Sequence, residues 1–270
     1  MNIALLRIQY CVNGILDLTN LGLSELPPLP DGLTELQCAH NHLTFLPLLP
    51  DGLIELQCAH NDLTSLPPLP DGLIELHCHN NQLTILPELP SSLQTLSCTS
   101  NQLTFLPSLP HSLTYLGCMF NQLTTLPSLP SFLTMILADC NQLILLSELP
   151  FHLTYLSCSC NQLTSLPSLP YKLSNLYCSS NSLEMIPELP STLVGLACVL
   201  PYNDQIYISN EMTPDIVQEL NQENEKWTDP YKKERCMERC ATYKEEIMMK
   251  AWHPSRVEML LEMGYDVEDM

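Results

Sequence analysis

The stretch that decides the fold is NQLTFLPSLPHSLTYLGCMFNQLT, residues 101–124, which begins and ends with the same four residues. The two copies are twenty residues apart, and an asparagine returns at this spacing along most of the chain. It stands at Asn41, Asn61, Asn81, Asn101, Asn121, Asn141, Asn161 and Asn181. A fixed period of this length indicates a solenoid in which each repeat forms one turn.

The repeat reads L-x-x-L-x-C-x-x-N-x-L-x-x-L-P-x-L-P-x-x, as in residues 33–52. This spacing is typical of a leucine-rich repeat. The two prolines, Pro47 and Pro50 in this copy, fix φ and remove two amide donors, so the return segment cannot be an α-helix. We therefore predict a leucine-rich repeat solenoid with short parallel β-strands on its concave face and an extended, polyproline-like convex side.

The segment LPSLPHSLTYLGCMFNQLTTLPSLP, residues 106–130, carries the repeat most clearly. Through it the chain resembles the LPX-type leucine-rich repeat family, which is found in bacterial effectors of the YopM and IpaH kind and in giant-virus proteins. The closing segment AWHPSRVEMLLEMGYDVEDM, residues 251–270, also looks like the C-terminal sequences of several giant-virus proteins. The resemblance implies a non-enzymatic protein-binding solenoid.

The ends of the array depart from the repeat and predict three regions. Residues 1–12 form an N-terminal flank, residues 13–205 form the solenoid, and residues 206–270 form a helical C-terminal cap or module. Thr213-Pro214, Asp229-Pro230 and His253-Pro254 are each typical of a helix start. The first of these helices places Ile216, Leu220 and Trp227 on one stripe. Inside the array, the turn of residues 133–152 has Ala138 and Ser147 where the others have cysteine and proline. We therefore expect this turn to be less tightly packed and less rigid than the others.

A column of cysteines occupies the second inward-facing strand position, at Cys38, Cys58, Cys78, Cys98, Cys118, Cys158, Cys178 and Cys198. We interpret them as small buried hydrophobic residues. Parallel side-chain vectors on strands about 4.8 Å apart suit disulfide formation poorly, and one ligand per strand cannot close a tetrahedral metal site. Unpaired thiols indicate a reducing compartment, which would be the host cytoplasm if the protein is viral.

Charge is distributed very unevenly along the chain. The formal net charge is −20, and no lysine or arginine occurs between Arg7 and Lys172. Glu35, Glu55 and Glu75 align one above another as an acidic rim. Such a surface cannot neutralise phosphates, so neither nucleic acid nor an anionic membrane is expected as a partner. The sequence does not predict the oligomeric state.

The outward positions of the strands change character along the array. The first turns offer glutamate, glutamine and histidine, whereas the middle turns offer apolar and aromatic residues that we expect to face solvent. Such clusters tend to mark protein interfaces. The predicted partner-binding residues are Tyr115, Met119, Phe120, Met135, Leu137, Tyr155 and Tyr177.

His77 and His79 share one face of one strand with Glu75 beside them, and side chains two apart on a strand can share a metal ion. Spacing along that strand provides no third ligand, so we predict neither a metal site nor a cofactor. We also predict no catalytic residues. Cys236 and Cys240 lack the Cys-x-Asp motif of effectors that carry a ubiquitin-ligase domain, and about 65 residues are too few for that domain.

The sequence therefore predicts a non-enzymatic, intracellular scaffold that binds a partner protein on the concave face, with a host protein as the candidate partner. The alternative is an accessory of ubiquitin ligation, in which the helical tail contacts a ligase and the solenoid recruits the substrate.

Overall fold

The computed structural model describes Arg7, Cys11 and residues 13–199, 206–209 and 212–226. The chain forms two compact units, Met1–Gln142 and Leu143–Met270. The boundary between the units falls within the turn of residues 133–152, in which the sequence departs from the repeat. The second and third predicted helices, together with Trp227, lie outside the described residues.

The described residues of the first unit form seven short strands that pair in parallel, in chain order and without a register shift. They are β1 (Ile15–Asp17), β2 (Glu35–Gln37), β3 (Glu55–Gln57), β4 (Glu75–His77), β5 (Thr95–Ser97), β6 (Tyr115–Gly117) and β7 (Met135–Leu137). Each residue lies opposite the residue twenty positions later, as Leu36 lies opposite Leu56. The in-register pairing therefore turns every sequence column into a row of touching side chains.

The second unit contains β8 (Tyr155–Ser157), β9 (Asn175–Tyr177), β10 (Gly195–Val199) and β11 (Ile206–Ser209), followed by helix α1 (Pro214–Lys226). Strands β8, β9 and β10 pair in parallel, whereas β11 pairs with β10 in antiparallel fashion. The repeat pattern did not predict β11, which lies beyond the last leucine of the array.

Leucine burial forms the core of each turn. In the turn that begins at Leu53, the side chains of Leu53, Leu56, Cys58 and Leu63 are fully buried. The return segments contain neither helix nor strand, as the paired prolines predict. The fold is a leucine-rich repeat solenoid, as predicted.

The asparagine column joins each turn to the preceding one. The Asn121 amide donates hydrogen bonds to the carbonyl oxygens of Cys98, Cys118 and Met119 at 3.0, 3.2 and 3.1 Å, and its oxygen accepts one from the amide of Leu103 at 3.0 Å. These bonds satisfy backbone groups that would otherwise be buried without partners. The predicted structural role of the column is confirmed.

The residue before each asparagine lies in the left-handed region, with φ between 51° and 56° in the eight repeats from His40 to Ser180. None of these residues is glycine. The left-handed conformation costs roughly 1–2 kcal/mol in an L-residue. The hydrogen bonds of the following asparagine hold the chain in this bend.

The cysteine column is buried, as predicted, and its members are free thiols. Burial raises the pKa of the Cys38 thiol to about 12. The pKa of Cys58 is raised well above its ordinary value, first by burial and then by the neighbouring thiols of Cys78 and Cys38. A protonated thiol is a poor nucleophile, so these cysteines act as packing groups.

Helix α1 caps the last described turn of the second unit. The Thr213 hydroxyl accepts a hydrogen bond from the amide of Ile216 at 3.4 Å, which confirms the predicted N-cap. Val217 and Leu220 are buried, while Ile216 is only half-buried, so the inward stripe includes Val217 rather than Ile216. The Asn221 side chain bonds to both the amide and the carbonyl of Leu189, at 2.8 and 3.0 Å. The described part of the chain contains no helix with the length and apolar character that crossing a membrane requires.

Candidate functional site

The outward positions of β2, β3 and β4 carry the polar group predicted from the sequence. Pairing places Glu35 opposite Glu55 and Glu55 opposite Glu75, so the predicted acidic rim is a row on three adjacent strands. The side-chain amide of Gln37 donates a hydrogen bond to Glu35, and that of Gln57 donates to Glu55 at 2.5 Å. Each glutamine therefore fixes the orientation of the carboxylate two residues before it.

The third strand of this row differs, because His77 replaces glutamine. Its Nε2 atom lies 3.3 Å from Oε2 of Glu75. Glu55, Glu75 and His77 each offer one ligand atom, and these three atoms lie within 4.8 Å of one another. We call these three residues the His–Glu cluster. Spacing along one strand did not reveal Glu55 as the third member, because it reaches the cluster from the neighbouring strand.

A stack of histidines lies beside the cluster. The rings of His40 and His60 are parallel, with centroids 4.1 Å apart, and the ring of His79 meets that of His60 edge-on at 5.3 Å. Nδ1 of His79 lies 3.3 Å from the hydroxyl of Ser97. The pKa of His79 is lowered to about 3, first by burial and then by the charges of His60, His77 and His40. His79 is therefore neutral at physiological pH.

The apolar group predicted on the middle strands is only partly exposed. In the first unit, Tyr115 and Met135 are register partners on β6 and β7, and both are half-buried. Phe120 is also half-buried and occupies the left-handed position, at φ 51°. These three residues form what we call the apolar patch. They expose part of their surface on the face that carries the acidic row.

The expectation of solvent-facing side chains is wrong for the other two members in the first unit. Met119 and Leu137 are each only 1% exposed. Leu137 lies opposite Gly117, which has no side chain, so the space above Gly117 is open to the larger neighbour. A large outward residue becomes buried where the adjacent turn offers a small one.

The same expectation is wrong for both tyrosines of the second unit. Tyr155 is 4% exposed and Tyr177 is 7% exposed, and their rings lie 5.4 Å apart. A Cβ atom on Gly195 would lie 3.0 Å from the hydroxyl oxygen of Tyr177 and 2.3 Å from the amide nitrogen of Asn175. The Asn175 amide and the Tyr177 hydroxyl therefore occupy the space that Gly195 leaves. Partner binding through these tyrosines remains a prediction.

An exposed aromatic cluster of the second unit escaped the sequence analysis. The rings of Phe151 and Tyr171 lie 4.7 Å apart, and Nζ of Lys172 lies 5.8 Å from each centroid. Both aromatic residues are more than half exposed. The sequence signal is an aromatic residue directly after Pro150 and Pro170, where the earlier repeats carry aspartate, serine or histidine.

Solved structures resemble this chain, whereas no protein-family model and no curated protein matches it. YopM of Yersinia pestis, a leucine-rich effector protein, is 39% identical over 74% of this chain and 60% of its own, with a TM-score of 0.71. The leucine-rich repeat domain of a Shigella effector is 37% identical over 61% of this chain and 76% of its own, with a TM-score of 0.51. The leucine-rich repeat domain of APL1B is 22% identical, covers 67% of this chain and 65% of its own, and has a TM-score of 0.55; it shares the fold. The chain spans 60% of the length of YopM.

Proposed function

Because this chain belongs to the leucine-rich repeat proteins of the YopM and Shigella effector type, we propose that it is a non-enzymatic scaffold that binds a partner protein on its strand face. The observation that carries the proposal is the half-exposed apolar patch beside an acidic row on one continuous set of strands. The thiols of the cysteine column are free and suit an intracellular, reducing compartment. The giant-virus resemblance of residues 251–270 supports the cytoplasm of an infected host as that compartment.

The apolar patch supplies the anchoring contacts of the proposed interface. Tyr115 and Met135 lie on adjacent strands, about 4.8 Å apart. Partly exposed aromatic and methionine side chains contribute strongly to binding when a partner buries them fully. Three residues make a hot-spot cluster rather than a whole interface, so the surrounding strand face must supply most of the contact area.

The acidic row determines the kind of partner. The partner surface should have an apolar spot next to basic residues, because Glu35, Glu55 and Glu75 lie on the same face and no arginine or lysine occurs between Arg7 and Lys172. Complementary charge mainly accelerates association. Added salt should therefore slow association more than it speeds dissociation.

The first experiment compares two double variants by affinity purification and quantitative mass spectrometry. Tyr115→Ala with Met135→Ala removes two residues of the apolar patch. The matched control is Ile85→Ala with Phe105→Ala, since these side chains are 52% and 53% exposed and lie outside the strands. We expect a recurrent partner to be lost with the first pair and kept with the second.

The second experiment measures the affinity for that partner by calorimetry and the fold of each variant by circular dichroism. The strand-face variant should bind at least about 2 kcal/mol more weakly while remaining folded. If a folded strand-face variant binds as tightly as wild type, the binding surface lies elsewhere and the proposal is wrong.

The ubiquitin-ligation alternative depends on a ligase contact in the C-terminal tail. Residues 227–270 of that tail lie outside the described residues. No described contact favours this alternative over a simple scaffold.

A further inference from the structure

We propose that the His–Glu cluster, Glu55, Glu75 and His77, binds a divalent transition-metal ion of the Zn²⁺ class. The inference concerns the first unit only and does not depend on the proposed partner binding. Three protein ligands leave one position of a tetrahedral site open to water or to a side chain of another molecule.

The separation of the ligand atoms fits a tetrahedral site. Bond lengths of about 2.0–2.1 Å at a tetrahedral zinc ion place two ligand atoms about 3.3 Å apart. Nε2 of His77 and Oε2 of Glu75 are 3.3 Å apart. The ligand atom of Glu55 lies within 4.8 Å of both, so a small shift of its carboxylate that keeps the Gln57 hydrogen bond completes the site. The separation of the His77 and Glu75 atoms therefore matches one edge of a zinc coordination tetrahedron.

The fold fixes the backbone positions of all three ligands. Glu75 and His77 are the two ends of β4 and lie on the same side of the sheet, because side chains alternate along a strand. Glu55 is the register partner of Glu75 on β3. Its carboxylate receives a hydrogen bond from Gln57 at 2.5 Å through Oε1, which leaves Oε2 for the metal. Such outer hydrogen bonds orient ligands in established metal sites.

The local charge balance favours a cation. Glu35, Glu55 and Glu75 stand on three adjacent strands, so neighbouring carboxylates repel each other. Among the residues described in the first unit, Arg7 is the one arginine and there is no lysine, and Arg7 pairs with Asp17. On each strand the carboxylate contacts the glutamine or histidine two residues later, and the register neighbours at the two ends of the row are Ile15 and Thr95, so no fixed positive charge among the described residues adjoins it. A bound divalent ion would offset the repulsion between Glu55 and Glu75.

The donor set selects the class of metal. An imidazole nitrogen with two carboxylates suits Zn²⁺, Co²⁺ or Ni²⁺, whereas Ca²⁺ and Mg²⁺ prefer oxygen ligands alone. Cys58 and Cys78 belong to the same turns but are fully buried on the opposite side of the strands. Their thiols are therefore not members of the ligand set.

The main competing interpretation is a simple hydrogen bond between Glu75 and His77, which requires no metal. A hydrogen bond explains the 3.3 Å contact but gives no role to Glu55. The two interpretations differ in what the loss of one ligand does to metal affinity. Metal titration of matched variants therefore separates them.

The experiment titrates the full chain with Co²⁺ and Zn²⁺ after native alkylation with N-ethylmaleimide. Alkylation removes binding by accessible thiols and leaves the cluster intact, because the cluster contains no cysteine. The variants are His77→Asn and Glu55→Gln. The controls are His111→Asn, an exposed histidine outside the strands, and Glu35→Gln, which belongs to the acidic row but not to the cluster.

We expect wild type to bind one Co²⁺ with visible absorption typical of tetrahedral nitrogen and oxygen ligands and without a sulfur-to-metal charge-transfer band. Zn²⁺ should displace it. Each cluster variant should lower the affinity at least about tenfold, while each control changes it less than about threefold. Circular dichroism verifies that the variants remain folded. The proposal is overturned if wild type binds no Co²⁺ or Zn²⁺, if His77→Asn binds like wild type, or if the bound Co²⁺ shows only thiolate ligation.

Discussion

The turn of residues 133–152 allows a sharp test of how the prolines stabilise the solenoid. The preceding and following turns carry Pro127 and Pro167 at the position of Ser147. The Ser147 hydroxyl oxygen is buried and has no hydrogen-bond partner. No described hydrogen bond uses the Ser147 amide either, so a proline ring there removes no bond. We therefore expect Ser147→Pro to stabilise the protein.

The expected increase in the free energy of unfolding of Ser147→Pro has two contributions. Replacing a residue by proline where the backbone already suits it stabilises a protein by about 0.4–1 kcal/mol, because the unfolded chain loses freedom. Removing a buried hydroxyl without a partner relieves part of a desolvation cost of about 1–3 kcal/mol. The sum predicts a gain of about 1–2 kcal/mol in the free energy of unfolding.

The control is Ser168→Pro, in the next turn of the same unit. Ser168 is exposed, and Pro68 occupies the equivalent position of an earlier turn, so proline fits there. This variant should gain only the contribution from the unfolded chain, about 0.4–1 kcal/mol. The difference in the free energy of unfolding between the two variants therefore measures the effect of the buried Ser147 hydroxyl.

Urea unfolding followed by circular dichroism measures both variants against wild type. Repeat arrays do not always unfold in one step, so the midpoints are comparable only if the m-values agree. If Ser147→Pro raises the free energy of unfolding no more than Ser168→Pro does, the buried Ser147 hydroxyl does not destabilise the wild-type protein. A loss of stability would show that the backbone at Ser147 differs from that of the proline-containing turns.

Further predictions concern the asparagine and cysteine columns and His79. Asn121→Ala should lower the free energy of unfolding by about 1–3 kcal/mol, because it leaves backbone groups without partners. The control Thr124→Ala, at an exposed position, should lower it by less than about 0.5 kcal/mol. Equal urea midpoints for the two variants would contradict this prediction. The thiols from Cys38 to Cys118 should react with an alkylating reagent at pH 8 only after unfolding and should contain no disulfide. Because burial raises their pKa, the unfolded thiols ionise first, so stability should fall as the pH rises above about 9. The pKa of His79 in the folded protein, about 3, lies below its unfolded value of about 6.5. Neutral His79 therefore contributes fully to the free energy of unfolding above about pH 6.5, and this contribution decreases as the pH falls below that value. His79→Gln should therefore reduce the pH dependence of the urea midpoint between pH 7 and pH 5.5, a difference of roughly 1 kcal/mol.

The fold was predictable because each structural role belongs to a column. Asn121, Cys118 and Leu123 each repeat at the same spacing, so a period found in the sequence becomes a row in the structure. Pairing without register shifts follows from that period. Strand β11 has no such column, and the last leucines of the array do not indicate it.

Exposure on the strand face was harder to predict because it depends on neighbouring turns. Tyr177 is buried and Gly195 lies one turn away, so the size of one outward residue decides the exposure of the next. The third member of the His–Glu cluster was missed for a related reason. Glu55 and Glu75 occupy one column, and their proximity depends on the pairing of β3 with β4 rather than on spacing along β4.

The in-register pairing of the first unit also has an evolutionary consequence. Recombination between two copies of the repeat removes or duplicates a whole block of twenty residues and rejoins equivalent columns. The number of turns can therefore drift while every asparagine still finds the carbonyls of the turn before it. Loss of the block that contains β4 would keep the fold but erase Glu75 and His77, so selection on array length and selection on surface chemistry act on separate properties of the same gene.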